Sequence, residues 1–271
     1  MKVKLYGTRG SIPVCEAKYQ KYGGNTTCIL VKTDAGNIIL DAGTGIRNLG
    51  KELHESEKTS NDIFIGFSHF HWDHIQGFPF FLPAYDHSKQ LTITTISKEA
   101  KFKNLKTIFK TQMRTEYFPI PLESMGAKLN FQHQDDDQFI IDDIKICTAE
   151  HSHPGGALSY RIESGGKSLV FCTDVEHGDS LDKRILKLAD GVDLLIHEGM
   201  YTDEELKSRP GWGHSSWRQA IEVAREVKAK KLLITHHDPD HDDDVLDEIG
   251  KQSKDFFENV TLARDKMEVE L

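Results

Sequence analysis

Residues 68–77 read Ser-His-Phe-His-Trp-Asp-His-Ile-Gln-Gly, SHFHWDHIQG. Four side chains that can bind a metal, His69, His71, Asp73 and His74, fall within six positions. On a helix, residues two apart point to different sides, so His69, His71 and Asp73 would not converge there. A loop at a strand end can turn them inward together. The preceding run, residues 62–67, is short and apolar, as a buried strand feeding a loop would be. Gln76-Gly77-Phe78-Pro79 on the other side also indicates a buried, shaped setting rather than an idle histidine-rich surface loop.

Other ligand types stand at the ends of similar runs. His151 follows the strand-like residues 141–148, Asp174 ends SLVFCTD and His236 follows KLLIT. Glu198 ends VDLLIHE, and His214 lies in GWGHS just before a helical pattern. A catalytic zinc takes about four ligands with one position open. His69, His71, Asp73, His74, His151, Asp174 and His236 make seven. Seven ligands and a shared hydroxide suit two ions about 3.5–4 Å apart, with one carboxylate bridging.

Strand signals cover residues 2–6, 28–32, 37–40, 62–67, 91–96, 139–147, 158–163, 168–172, 192–196, 231–235 and 267–271. Helical periodicity falls between them: residues 181–189, 215–228 with Ser215 as cap, 244–257, and the lysine-bearing stretch 98–114. Interspersed strands and helices predict an α/β layered domain. An internal duplication is also legible. NIILDAG ends in Asp41 and is followed by a helix and the strand leading to His69; SLVFCTD ends in Asp174 and is followed by a helix and the strand leading to His197-Glu198. Two such half-domains would bring both sets of strand ends to one edge, although chance likeness between buried strands is an equal reading.

The 271 residues suffice for a substantial core, and the net charge of −9 argues against a broad grip on nucleic acid. Cys15, Cys28, Cys147 and Cys172 are scattered without a CxxC pair, which points to reduced thiols. The opening MKVKLYGTRG alternates like a strand and lacks a signal-peptide core, and no apolar run reaches membrane-spanning length. The expected compartment is the cytoplasm, with no membrane partner.

HFHWDH resembles the HxHxDH signature of the metallo-β-lactamase superfamily, and His151, Asp174 and His236 follow in that family's order. The resemblance extends from GTRGS (residues 7–11) through LDAGTG (40–45) to LLITHHDP (232–239). It implies one α/β domain over residues 1–271, a four-layer αββα sandwich with a dinuclear metal site at one edge of the sheets. It further implies that His69, His71 and His151 hold one ion, that Asp73, His74 and His236 hold the other, and that Asp174 bridges. Asp41 would fix the tautomer of a ligand histidine. Zinc is the expected metal, with manganese or iron also suited to these ligands.

Glu198 with Gly213-His214-Ser215 resembles the ribonuclease Z branch and its small cyclic phosphodiesterase relatives. The implied reaction is metal-assisted phosphodiester hydrolysis. Asp73 helps to orient the nucleophile, and His214, backed by Glu198, protonates the leaving oxygen. A thioester or lactone hydrolase, an RNA-processing endonuclease and a noncatalytic metal sensor are the alternatives. No protruding arm rich in glycine and basic residues is present, so a compact diester such as a cyclic nucleotide is expected rather than a large nucleic acid. Lys98, Lys101, Lys103, Lys106, Lys110 and Arg114 would form a solvated helix face or a basic lid. Whether His237, His153 or Arg9 touches metal or substrate is left open, as is a homodimer.

Overall fold

A computed structural model describes residues 1–56, 60–98 and 104–271. Among these residues the strands form two seven-stranded sheets. The first runs, in spatial order, β14 (Glu268–Glu270), β1 (Lys2–Gly7), β2 (Cys28–Thr33), β3 (Gly36–Leu40), β4 (Asp62–Gly66), β5 (Gln90–Ile96) and β6 (Lys128–Gln134). The second runs β7 (Gln138–Ile141), β8 (Ile144–His151), β9 (Ala157–Ser164), β10 (Lys167–Cys172), β11 (Leu194–Glu198), β12 (Lys231–Thr235) and β13 (Val260–Leu262). In each, three antiparallel pairings are followed by three parallel ones. The duplication legible in the sequence is therefore one of topology.

Alternation explains the layers. Val3, Leu5, Ile29, Val31, Ile38 and Leu40 of the first sheet pack against Ile146, Ile162, Leu169, Phe171, Leu194 and Ile196 of the second. The opposite face of the first sheet is covered by α1 (Ile46–Glu55) and α3 (Leu105–Gln112), with Leu49, Leu53, Leu105 and Phe109 buried there. The opposite face of the second is covered by α4 (Lys183–Ala189), α6 (Trp217–Glu226) and α7 (Asp243–Ser253), through Ile185, Leu188, Trp217, Ala220, Ile221, Leu246 and Ile249. The order helix, sheet, sheet, helix is the four-layer α/β arrangement expected.

Some local expectations change. Residues 139–147 are not one strand, because Asp142 turns the chain at φ 50° and splits β7 from β8. Ser216, not Ser215, caps α6: its hydroxyl accepts from the Gln219 N–H while the Gln219 side chain answers the Ser216 N–H. Ser215 is held instead by Glu198 Oε1 and the Val175 carbonyl. β6, the short β13 and the one-turn α5 (Asp203–Lys207) carry no strong signal of their own. Of the lysine-bearing stretch, Lys101 and Lys103 lie outside the described residues, while Lys98 pairs with Asp137 at 3.2 Å and Lys110 with Glu123 at 2.8 Å. The four cysteines are free, and no helix among the described residues is long and apolar enough to cross a membrane.

Candidate metal centre

The strand ends meet where the two sheets abut. β4 runs out at Gly66 into a loop carrying His69 and His71, and α2 (Trp72–Ile75) follows as a single helical turn bearing Asp73 and His74. His71 keeps an extended backbone at the start of that turn, φ −63° and ψ 154°, so two ligand types lie in the loop and two on the turn. The change of backbone conformation at His71 divides the run into two directions.

Two clusters result. Ligand atoms of His69, His71 and His153 lie within 4.8 Å of one another, as do those of Asp73, His74, Asp174 and His236. Asp174 spans both. Its Oδ2 is 3.1 Å from His74 Nε2 and 3.3 Å from His236 Nε2, while Oδ1 is 3.8 Å from both His69 Nε2 and His153 Nε2. Asp73 Oδ2 lies 3.3 Å from His74 Nε2 and 3.1 Å from His236 Nε2, and it accepts the Ser11 N–H at 2.8 Å.

The tautomers are set from outside the clusters. Asp41 ends β3 at φ 60° and accepts His74 Nδ1–H at 2.8 Å, the Ser68 N–H at 2.8 Å and the Ser68 hydroxyl at 2.7 Å. His153 Nδ1–H donates to the Gly213 carbonyl at 2.8 Å, which turns Nε2 toward the centre. Gly213 must be glycine: φ is 85° and a Cβ would stand 2.2 Å from His153 Nδ1. A Cβ on Gly10 would likewise meet the His236 ring at 2.5 Å.

Electrostatics agree with a cation site. Burial alone would raise Asp174 and Asp73, but the surrounding His74 and His236 hold both carboxyls well below the usual carboxylate range. Burial pushes the His69 imidazole well down, which keeps it neutral with a lone pair to offer. The Nε2 atoms of His69 and His74 are buried without a hydrogen-bond partner. Unpaired buried nitrogens are rare because each costs its desolvation, and a divalent ion would satisfy them. The residues present fit the metal.

Of the residues singled out in the sequence, six of seven expected ligands converge, and His151 does not. The structure places His153 where His151 was expected. The reason is the period of β8: Cys147 and Ala149 pack toward the helix layer, and His151 shares their parity, so it points to the outer side of the second sheet. His153 lies beyond the strand in a turn, free of that alternation. Alternation counted forward from Ile144 and Ile146, which face the other sheet, would have excluded His151 and left His153, beyond the strand end, as the candidate. His236 rather than His237 joins the cluster, since His237 Nε2–H donates to the Ala263 carbonyl at 2.8 Å. Arg9 is fully buried and donates to the carbonyls of Gly23, Asp238 and His241, so it clamps backbone and does not face a substrate.

His214 sits at the same edge, 3.8 Å from Asp174 and with its ring stacked on His236 at 5.2 Å. Glu198 Oε1 is 3.5 Å from His214 Nδ1, an ion pair too long for a good hydrogen bond. Its carboxylate is committed to three backbone donors, Val175, Met200 and Ser215. Burial alone would lower the His214 imidazole, but Glu198, with Asp174 and Asp73, lifts it to about 9. Glu176, unremarked in the sequence, pins the segment bearing His214 by accepting the N–H groups of Gly211 and Gly213 at 2.7 and 2.9 Å.

The profile of the β-lactamase superfamily domain matches residues 36–237. The chain belongs to the metallo-β-lactamase superfamily. It is a metal-dependent hydrolase of that family. Ribonuclease Z of Methanosarcina acetivorans is 22% identical over 318 aligned residues, covering 100% of this chain and 98% of the relative. Among solved structures, a diphosphatase of the PhnP family shares the fold with a TM-score of 0.74 at 18% identity, covering 100% of this chain and 97% of that one. The short form of human tRNase Z has a TM-score of 0.71 at 18% identity, covering 100% and 99%.

Proposed function

We propose that residues 1–271 act as one domain that hydrolyses a compact phosphodiester, such as a cyclic nucleotide, on two divalent metal ions, with zinc the default. The observation that carries this reading is His214, buried beside Asp174 and backed by Glu198 at the edge of a paired ligand set. His69, His71 and His153 would hold one ion, Asp73, His74 and His236 the other, and Asp174 would reach both. When bound, two such ions supply Lewis acidity for the phosphoryl oxygens and a strong oxygen nucleophile at neutral pH.

The chain's own groups do the rest. Asp73 presents Oδ2 among His74, His236 and the Ser11 N–H, which fixes the side from which a nucleophilic oxygen is oriented. His214, paired with Glu198, hands its proton to the departing alkoxide. Glu198 stabilises that imidazolium from 3.5 Å and, through the Ser215 N–H, holds the backbone next to it.

An RNA-processing endonuclease is the second reading, favoured by the relative named ribonuclease Z. Against it stands the acidic chain, net −9. The test loads the purified protein with zinc or manganese and assays bis(p-nitrophenyl) phosphate, 2′,3′- and 3′,5′-cyclic nucleotides, a short RNA with a 3′ extension, and a thioester. His214→Ala should lower diester turnover by about 100-fold or more at unchanged metal content. Thioester turnover insensitive to that substitution, with no diester cleaved, would overturn the proposal.

A further inference from the structure

We propose that the groove between Trp72 and Tyr117 seats a nucleobase, which makes the substrate a nucleotide rather than a plain diester. The inference rests on the phosphodiesterase reading above. Trp72 stands between His71 and Asp73 in the ligand run, yet 65% of it is exposed, whereas Asp73 and His74 beside it are buried. Tyr117 is 68% exposed. Large aromatic faces left in water at the rim of a buried centre are unusual, and they mark recognition surfaces.

The groove holds about 410 Å³ and is lined chiefly by Phe70, Trp72, Ile75, Ile108, Thr111 and Tyr117. That volume falls in the range of small-ligand sites, about 300–1,000 Å³. It adjoins the metal centre through the chain itself, because Phe70 and Trp72 bracket His71, whose Nδ1 lies 2.9 Å from His153 Nε2. The groove and the first ligand cluster therefore share one backbone segment, residues 70–72.

The lining selects the occupant. Among the described residues no lysine or arginine lines it, so it offers a phosphate no cationic partner. It offers a flat ring aromatic faces for stacking and, from Thr107 and Thr111, hydroxyls for the ring's polar edge. The net charge of −9 also argues against a broad basic face that would share the work of binding, which puts weight on recognition of the base. Stacking is tolerant of base identity, since every base has a π face, so discrimination among bases should be weak.

The experiment reads binding first and turnover second. The chain has three tryptophans, Trp72, Trp212 and Trp217, of which Trp217 is buried. Full-length protein is titrated with adenosine monophosphate, with ribose 5-phosphate as a base-free control, and tryptophan fluorescence is followed. Saturable quenching by the nucleotide alone is expected, retained in Trp212→Leu and lost in Trp72→Leu. With metal loaded, Trp72→Leu should raise KM for 2′,3′-cyclic AMP by about 5–100-fold, leave the base-free ribose 2,3-cyclic phosphate unaffected, and be rescued by Trp72→Phe. Equal quenching by ribose 5-phosphate, quenching by a fatty acyl thioester but not by the nucleotide, or an unchanged KM in a variant that still cleaves diesters would overturn the base seat and leave the phosphodiesterase reading standing. Nucleotide quenching that depends on Trp72 in a protein that cleaves no diester would support the seat and overturn the reaction instead.

Discussion

In the first half of the chain β3 runs into Asp41 at φ 60°, crosses over through α1 and returns in parallel as β4. In the second, β10 runs through Thr173 into Asp174 at φ 55°, crosses over through α4 and returns in parallel as β11. The left-handed backbone turns each aspartate back over the end of its own sheet, a conformation that aspartate tolerates better than most residues. The carboxylates then part company. Asp41 turns inward to Ser68 and to the Nδ1 side of His74, all within its own half. Asp174 reaches across to His69 and His74 of the other half as well as to His236 of its own. One backbone device thus serves to hold a ligand in place in one half and to join two ligand sets in the other.

The largest break in that comparison should come from substituting each aspartate in turn. Asp174→Asn should weaken metal binding by more than about 100-fold, whereas Asp41→Asn, which disturbs only the orientation of His74, should weaken it about 10–100-fold. Metal stoichiometry after dialysis against graded chelator reads the difference, and equal losses would erase the distinction between joining and holding.

A smaller break separates His153 from His151. His153→Ala should cost one of two metal equivalents and most diester turnover. His151→Ala should keep both equivalents and lose only stability, about 0.5–3 kcal/mol, as a buried side chain outside the centre. Metal analysis beside chemical unfolding checks both, and the opposite pattern would restore His151 to the ligand set.

The halves differ least visibly behind the site. On β11 and in the loop before α4 the second half buries His197 and His177, Nε2 to Nε2 at 3.3 Å, whereas the cluster under α1 is packed with apolar side chains such as Leu49, Leu53 and Phe81. Burial pushes His197 down to about 3 and His177 to about 4, so neither takes a proton in the folded chain until well below the ordinary imidazole value. The unfolded chain does so near pH 6.5. Between those values the unfolded state binds more protons, and stability must fall as pH falls. Urea unfolding of chelator-treated protein from pH 7 to 4.5 should show that loss, and His177→Gln should reduce its slope by up to about 1.4 kcal/mol per pH unit. An unchanged slope would mean that His177 is already charged in the fold.

Much of this was legible in the residues. Apolar runs ending in Asp, Glu or His marked strands that converge on one edge, and HFHWDH named the chemistry of that edge. Residues 139–147 misled because their apolar content hid a turn at Asp142, where the left-handed backbone leaves no apolar signature. Ser215 misled because two adjacent serines offer the same capping hydroxyl, and only the fold decides that the first donates its hydroxyl to the Val175 carbonyl. His151 misled because it stands two residues from His153, which joins the cluster, yet keeps the parity of Cys147 and Ala149 on the helix side of β8.

By itself, then, the sequence determined the layered α/β class and the kinds of atoms offered to a metal, because period-two and period-3.6 burial and donor chemistry are properties of single residues and short runs. Only the tertiary structure decided which histidine completes the first cluster, and that Arg9 clamps carbonyls and does not face a substrate. Those choices depend on which face of β8 looks outward and on how closely the two sheet edges meet. Both are settled by packing between residues far apart in the chain, such as Asp174 with His69 and His153 with Gly213.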